Sequence, residues 1–439
     1  MNQIERLGDL PSLLADPQQQ AKLTPQQAQA AQEFCRLGWP TTRDENWKYA
    51  DLKALLKQGF QWDPSLVKLE DTQLEAAWLP LATAAIRLVF VNGVFAPEHS
   101  QQTAHAQVSY QVTTPAEHPL TAAYPAQVAQ DKKANAQAAF CALNQALGKT
   151  QLQLKVQGCL DTPIYLVYLS TQASEQAYLS LSQLKVEVAS GAQATLIEHH
   201  LSLGSPNNCS HRQAQIQLDA GAQLKHYYIQ ELANTDQHLS QLDVYQTRDS
   251  HFTSQHINLG GKWVRHDLDV VLAEPGAHVE LDGLFFAAGR QFIDTHTRIN
   301  HAAGHTYSQE NYKGILNAKA QGVFNGRVLV QPQSQKIEAH QNNANLLLAD
   351  GAQINTKPEL EIYADDVKCS HGATTGRLNE EAVFALRSRG IDETQARGLL
   401  TLAFANEILD NIEILAIHQR IEEAIAGRLP AAYNLKGVL

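Results

Sequence analysis

Cys369 and His371 stand two residues apart in the stretch Glu359-Leu-Glu-Ile-Tyr-Ala-Asp-Asp-Val-Lys-Cys-Ser-His-Gly-Ala-Thr-Thr-Gly-Arg377. A thiol and an imidazole are soft and borderline donors, the types that suit iron, zinc or an iron–sulfur unit. A strand running through both puts the two side chains on one face, roughly 7 Å apart. That separation suits two ligands of one cluster, or a thiol beside a base. Just upstream, Asp365 and Asp366 form a carboxylate pair of the kind used for acid–base work or calcium binding. Aspartate also favours turns, and a plain corner is the reading we prefer. Because such a corner can reset strand alternation, the pattern leaves open which way Cys369 and His371 point.

The other potential ligands are scattered. Cys35, Cys141, Cys159 and Cys209 are widely spaced with no Cys-x-x-Cys pair, so neither a disulfide framework nor a zinc-finger pattern is present. Each reads as a small buried apolar residue. Of 18 histidines, His199, His200, His226, His251, His256, His266, His278, His296, His301 and His305 fall in one strand-rich stretch. Taken singly they read as packing residues on strand faces. The exceptions are His371, beside its thiol, and His301 at the end of Asp294-Thr-His-Thr-Arg-Ile-Asn-His301. There is no Gly-x-x-x-x-Gly-Lys-Ser/Thr phosphate loop, no Gly-x-Ser-x-Gly elbow and no His-Glu-x-x-His helix.

Composition narrows the partners. With 34 basic against 45 acidic residues the formal charge is −11, and no Lys/Arg cluster offsets it, which argues against nucleic acid. The longest apolar runs, such as Leu88-Val-Phe-Val91 and Leu346-Leu-Leu-Ala349, are too short to span a bilayer. Glu5, Asp9 and Pro11 stand where a signal peptide needs an apolar core, so a cytoplasmic protein is expected. At 439 residues the chain is long enough for two or three domains, or for one large solenoid with appendages.

Stepping outward from Cys369, the preceding sequence is a repeat. Alternating strands recur at Leu152–Val156, Leu184–Val188, Ala214–Leu218 and Val279–Leu281. Gly-Ala turns recur at Gly191-Ala192, Gly221-Ala222 and Gly276-Ala277, with degenerate turns at Asp249-Ser250 and Gly304-His305. A period in the twenties with short strands and small turn residues marks a β-solenoid, whose coils bury their apolar faces by stacking. A sandwich or jelly roll would not keep so even a period. Helices flank it. Thr24-Pro25 predicts an N-cap with proline at the first helical position, and the helix carries Phe34 and Leu37 on one face until Gly38. Trp39, Trp47 and Tyr49 follow in an aromatic connector that reads as a docking segment. Another helix is predicted near 125–147, with Ala136, Phe140, Leu143 and Leu147 on one stripe. After Arg377, Asn379 starts a helix ending near Gly390, and Asp392 with Gln395 resembles a capping box. An apolar stripe of Ala396, Leu399, Leu400, Ala403 and Phe404 and a last helix as far as Pro430 read as a cap on the open end of the solenoid, or as a face for a partner. We therefore expect a mainly β chain with a helical region at 1–85, a β-helix core at 86–376 and a helical region at 377–439.

Val323-Phe-Asn-Gly-Arg-Val-Leu-Val330, Gln341-Asn-Asn-Ala-Asn-Leu-Leu-Leu348 and Lys357 to Thr375 closely resemble the SufB/SufD family of iron–sulfur cluster assembly scaffolds. Asp294–Arg298, Arg387-Ser-Arg-Gly-Ile391 and Glu45-Asn-Trp-Lys-Tyr49 also resemble family segments, and Cys-Ser-His-Gly-Ala-Thr is similar to the SufD branch. The resemblance implies a right-handed parallel β-helix between helical ends. It implies pairing with SufB through the β-helix, docking of the SufC ATPase on the C-terminal helices, and no catalysis by the chain itself. His371 matches an interfacial histidine that ligates a transient iron–sulfur cluster shared with SufB, and Cys369 matches a neighbouring family cysteine. Arg387, Arg389, Gly390, Ile391 and Phe404 fall in the ATPase-facing region. The resemblance also implies association with reduced flavin, and homodimers of the isolated chain. Two rival readings stand beside it. One is a β-helix carbohydrate lyase or hydrolase using Asp365 and Asp366. The other is a thiol enzyme with Cys369 as nucleophile and His371 as base.

Overall fold

A computed structural model describes residues 3–62, 69, 74, 77–81, 86–102, 105–117, 120, 137–172, 177–430 and 433. As expected, the chain is mainly β, with helices towards both ends. From residue 150 it alternates between two sheets, and each strand pairs in parallel with the equivalent strand of the next coil. One sheet runs from Ile86–Val91 and Ile164–Thr171 to Tyr307–Leu316, Ile337–Leu347 and Val367–Gly376. The other runs from Thr150–Val156 to Phe292–His301, Gln321–Val330 and Gln353–Ile362. The result is a parallel β-solenoid of about 7 turns.

The repeat in the sequence has a backbone cause. Gly191, Gly221, Asp249, Gly276, His305 and Lys336 all have positive φ, between 56° and 79°. The N–H of each donates to a carbonyl of the following corner: Gly191 to Ala220, Gly221 to Arg248, Asp249 to Pro275, Gly276 to His305, His305 to Gln335 and Lys336 to Asp366. Glycine meets that geometry without strain, which is why Gly-Ala recurs. At the fifth corner the left-handed residue is His305, not Gly304. A sixth, at Lys336, has no glycine to announce it.

Side chains of alternate residues point into the lumen between the sheets and stack in columns. Val186, Ile216, Val244, Val270, Ile299, Val328 and Leu360 are successive register partners down one sheet. Such β-branched columns suit a pleated surface, and together with Leu166, Leu196, Leu224 and Phe252 they build the core.

The outer faces are covered by the helices. Pro25–Leu37, closed by a capping box between Thr24 and Gln27, packs with Ala138–Leu147 on the second sheet over Leu181, Cys209 and Leu239. The start of the helix expected at 125–147, including Ala136, lies outside the described residues. The C-terminal helices Glu380–Arg387, Glu393–Leu409 and Leu415–Arg428 do not cap the solenoid. The last two turn back onto the outer face of the first sheet. There Leu402, Ile408, Ile417, Ile421 and Ile425 pack against Ile197, Ile229, Ile257, Leu284 and Ile315. An apolar helical stripe satisfies either arrangement. The broad apolar outer face of this sheet decides for the second, because it must be covered.

Candidate functional site

With the helices turned back, the solenoid ends on two open strands. Gln353–Ile362 and Val367–Gly376 are the last of their sheets, and among the described residues no further strand pairs with them. Their residues are half-buried or exposed, in contrast to the closed coils before them. Ile362 and Tyr363 are exposed at 39% and 61% where the two strands meet. Pro358 and the lysines Lys357 and Lys368 lie on these edges, residues that discourage indiscriminate strand addition.

Cys369 and His371 both lie in the strand Val367–Gly376, opposite Ala339 and Gln341 of the preceding coil. Strand alternation therefore puts both on one face, and Ala339 and Gln341, which are buried, identify it as the lumen face. The corner at Ala364 to Asp366 resets the alternation so that Val367, Cys369 and His371 share this face. Cys369 is half-buried against Val328, Ile337 and Ala339, and burial pushes its thiol up, away from the thiolate form. His371 is exposed at the mouth of the lumen. No hydrogen bond joins the two, so no activated nucleophile–base pair is formed.

Behind the mouth the lumen is polar, which the scattered histidines only hinted at. Arg212, which is buried, pairs with Glu198, and Glu198 Oε1 lies 2.9 Å from His226 Nε2. The Tyr228 hydroxyl and His238 Nε2 share a hydrogen bond of 2.5 Å, and the rings of His256 and His266 stack at 3.7 Å. Gly283 makes room for this cluster, because a Cβ there would lie 2.0 Å from the Tyr312 ring. Burial pulls His238 down to about 3 and keeps His200, His256 and His266 neutral well below the usual imidazole range. Among the described residues, no three His, Cys, Asp or Glu side chains converge to hold a metal ion. His211 and His238, which the sequence reading passed over, belong to the same buried set. His301 is a satisfied core histidine, with Thr306 Oγ1 at 2.7 Å and Ser308 Oγ at 2.9 Å on its two ring nitrogens.

Asp365 and Asp366 are exposed corner residues. The carbonyl of Asp366 accepts from Lys336 N–H, and its N–H donates to Gln335 Oε1, so the pair closes a turn. The aromatic connector docks, as expected: Trp47 stacks on Phe140 and Trp263, with the Arg265 guanidinium 4.2 Å from its ring centre. Tyr49 stays exposed.

A second surface lies on the C-terminal helices. Arg387, Arg389 and Gly390 are exposed and Ile391 is half-buried in the turn between two helices, where Gly390 has φ 89°. Asp392 caps the next helix by accepting from Thr394 and Gln395 N–H. Phe404 is half-buried against the sheet beneath Lys313. The exposed aromatic is Phe384, at 68%, one turn before Arg387. The sequence reading missed it, although an aromatic among Glu380, Glu381, Arg387 and Arg389 was its signal.

Known proteins are similar to this chain in sequence. The family model for the SufBD core domain of the SUF system for FeS cluster assembly matches residues 169–404, and that for the SufBD protein N-terminal region matches 13–157. The iron-sulfur cluster assembly protein SufD of Escherichia coli (strain K12) is 31% identical over 412 residues, 93% of this chain and 94% of its own length. An iron-sulfur cluster assembly SufBD family protein of Synechocystis sp. is 35% identical over 416 residues, 91% of this chain and 89% of its own. The chloroplastic protein ABCI7 of Arabidopsis thaliana is 30% identical over 282 residues, 62% of this chain and 59% of its own. The chain thus belongs to the SufBD family and is an iron–sulfur cluster assembly subunit.

Proposed function

We propose that this chain is a scaffold without catalysis of its own, which pairs through its open end with a SufB chain and shares with it the site where a nascent iron–sulfur cluster is built. The open end carries the reading. Two unpaired strand edges flank a lumen mouth at which His371 is exposed, with Cys369 two residues behind it. Iron–sulfur units take four protein ligands, and the described residues at this end offer two, so the remainder come from the chain that completes the edges. A cluster held half by each subunit can be released when they part. The same edges let two copies of the chain pair when SufB is absent. Phe384, Arg387, Arg389, Gly390 and Ile391 form the surface on which the SufC ATPase docks. Movement of that ATPase would then pull on helices packed along the solenoid and shear the seam. Reduced flavin is part of this reading with no residues assigned to it, and the cytoplasm is the expected compartment. No helix of the described residues is long and apolar enough to cross a membrane. The carbohydrate reading gains nothing from two corner aspartates.

The test is the complex carrying His371→Ala, purified anaerobically with its partners. We expect normal folding and partner binding, and loss of the cluster chromophore. An unchanged chromophore would sink the shared-site reading.

A further inference from the structure

Glu310 is the exceptional carboxylate of the lumen. Glu310, Gln341 and His371 are register partners in three successive coils of the same sheet, so their side chains form one lumen-facing column that ends at the mouth. At the usual strand spacing Glu310 lies roughly 10 Å behind His371. It is 1% exposed. Gln341 Nε2 donates to Glu310 Oε2 at 2.6 Å, Gln341 Oε1 has no hydrogen-bond partner, and Glu310 Oε1 has only the Thr297 hydroxyl beside it. Several other buried carboxylates are neutralised, Glu198 by Arg212, Glu231 by Arg420, and Asp267 and Asp294 by Arg265, while buried Asp236 accepts from Ser202 Oγ and Asn208 N–H on its two oxygens. Glu310 meets no cation. Its surroundings are Leu281 and Gln341 on the flanking strands, Ser308 and Tyr312 on its own, and Thr297 from the opposite sheet. Tyr312 is the only titratable group among them, and its hydroxyl is also without a partner. Burial accordingly lifts the Glu310 carboxyl to about 7.

We propose that Glu310 is a reserve counter-ion for the open end, a neutral acid while the mouth is empty that gives up its proton when a cation is seated at His371. The O–H bond of the acid breaks with its electron pair left on the carboxylate, and the proton leaves to water at the mouth. A divalent charge some 10 Å away through partly screened protein favours the carboxylate by on the order of two pH units. Glu310 and Gln341 then stand in the column directly behind a site that has become positive. A cation is thus stabilised at the mouth without a permanent buried charge in the empty chain, where it would be costly. This inference rests on the reading of His371 as a ligand.

Infrared spectroscopy of the full chain, with zinc as the probe cation, tests it. We expect a protonated-carboxyl C=O stretch that titrates with a midpoint near 7 and is missing in Glu310→Gln. At fixed pH below that midpoint, zinc should abolish the band in the wild type and leave it in His371→Ala. Histidine ring NMR signals report separately whether zinc reaches His371. Absence of a titrating band that Glu310→Gln removes overturns the inference and leaves the ligand role of His371 standing. Zinc bound at His371 with the band unchanged overturns the coupling alone, and so does zinc that abolishes the band equally in His371→Ala. Zinc that never reaches His371 overturns the inference, because no cation is then seated at the mouth of this chain, and leaves the ligand role of His371 to the test in the complex.

Discussion

Lys313 holds its ammonium 4.3 Å from the centre of the Phe404 ring and donates to the Phe404 carbonyl at 3.1 Å. The same ammonium pairs with Glu407, so one buried lysine of the sheet grips the helix Glu393–Leu409 by ring, backbone and carboxylate. Its strand neighbour Tyr312 points the other way, into the lumen beside Glu310. The strand Tyr307–Leu316 therefore touches the C-terminal helices on one face and the column behind His371 on the other. This strand is thus one direct link between the helix Glu393–Leu409 and the lumen.

Lys313→Met should keep the packed stem and lose the grip. Removing a cation–π contact and a charge-assisted hydrogen bond costs about 1–3 kcal/mol. Hydrogen exchange should quicken across Glu393–Leu409 before it changes in the solenoid. Unaltered exchange in that helix would show that the apolar contacts alone hold it.

The buried histidines predict sensitivity to mild acid. In the unfolded chain each imidazole takes up a proton near 6.5, whereas in the fold His211, His238 and His301 stay neutral down to about 3. His200, His256 and His266 are held well below 6.5 as well. Below about 6.5 the unfolded chain thus binds more protons than the fold, and stability falls with pH. Each ring contributes a loss of about 1.4 kcal/mol by pH 5.5, so the set approaches the whole stability of an ordinary domain. Glu310, protonated in the fold at that pH, offsets part of it. Thermal melts at pH 7.5, 6.5 and 5.5 should show a steep fall in Tm over the last step. A flat profile would mean that the lumen admits protons at little cost.

Glu310 has the opposite sign. Its carboxyl titrates near 7 in the fold and near 4.5 when free, so the fold loses stability as pH rises between those values. Above pH 8 the loss amounts to about 3 kcal/mol, as an order of magnitude. Glu310→Gln keeps the shape, keeps an acceptor for Gln341 Nε2 and carries no charge. The variant should melt higher than the wild type at pH 8 and about equally at pH 5.5. A lower Tm at pH 8 would show that the wild-type carboxylate is well solvated where it sits.

How much of this was legible depended on what each signal is made of. The corners could be read wherever glycine supplied the left-handed turn, as at Gly191 and Gly221, and could not where Lys336 adopts it under tertiary constraint. Cys369 and His371 were visible as a candidate pair of donors, but their direction was not, because the corner at Ala364–Asp366 resets the alternation. The histidines were visible as a surplus. Which ones meet is fixed by register across two sheets, and that information is spread over strands some 30 residues apart. The return of the last helices onto the first sheet was hidden for a similar reason. Their apolar stripe records that something is covered, not what.

The two phenylalanines of the C-terminal helices differ in exposure, and the proposed docking surface can be tested through them. Phe404 fell on an apolar stripe and drew attention in the sequence, yet its ring lies against the sheet under Lys313. Phe384 is 68% exposed beside Arg387, a combination of aromatic and arginine that dominates binding energy at protein interfaces. Phe384→Ala should leave Tm nearly unchanged, since exposed positions contribute within about 0.5 kcal/mol. Affinity for the ATPase should fall at least about tenfold, the scale of a single anchor residue. Phe404→Ala should do the reverse, lowering Tm by removing ring contacts from a half-buried site and weakening ATPase binding only as far as the helix loosens. Calorimetric titration and melting curves of the two variants decide between these assignments. If Phe384→Ala binds the ATPase as tightly as the wild type while Phe404→Ala does not, the docking surface lies over the grip of Lys313 instead, and ATPase movement would act on that strand directly.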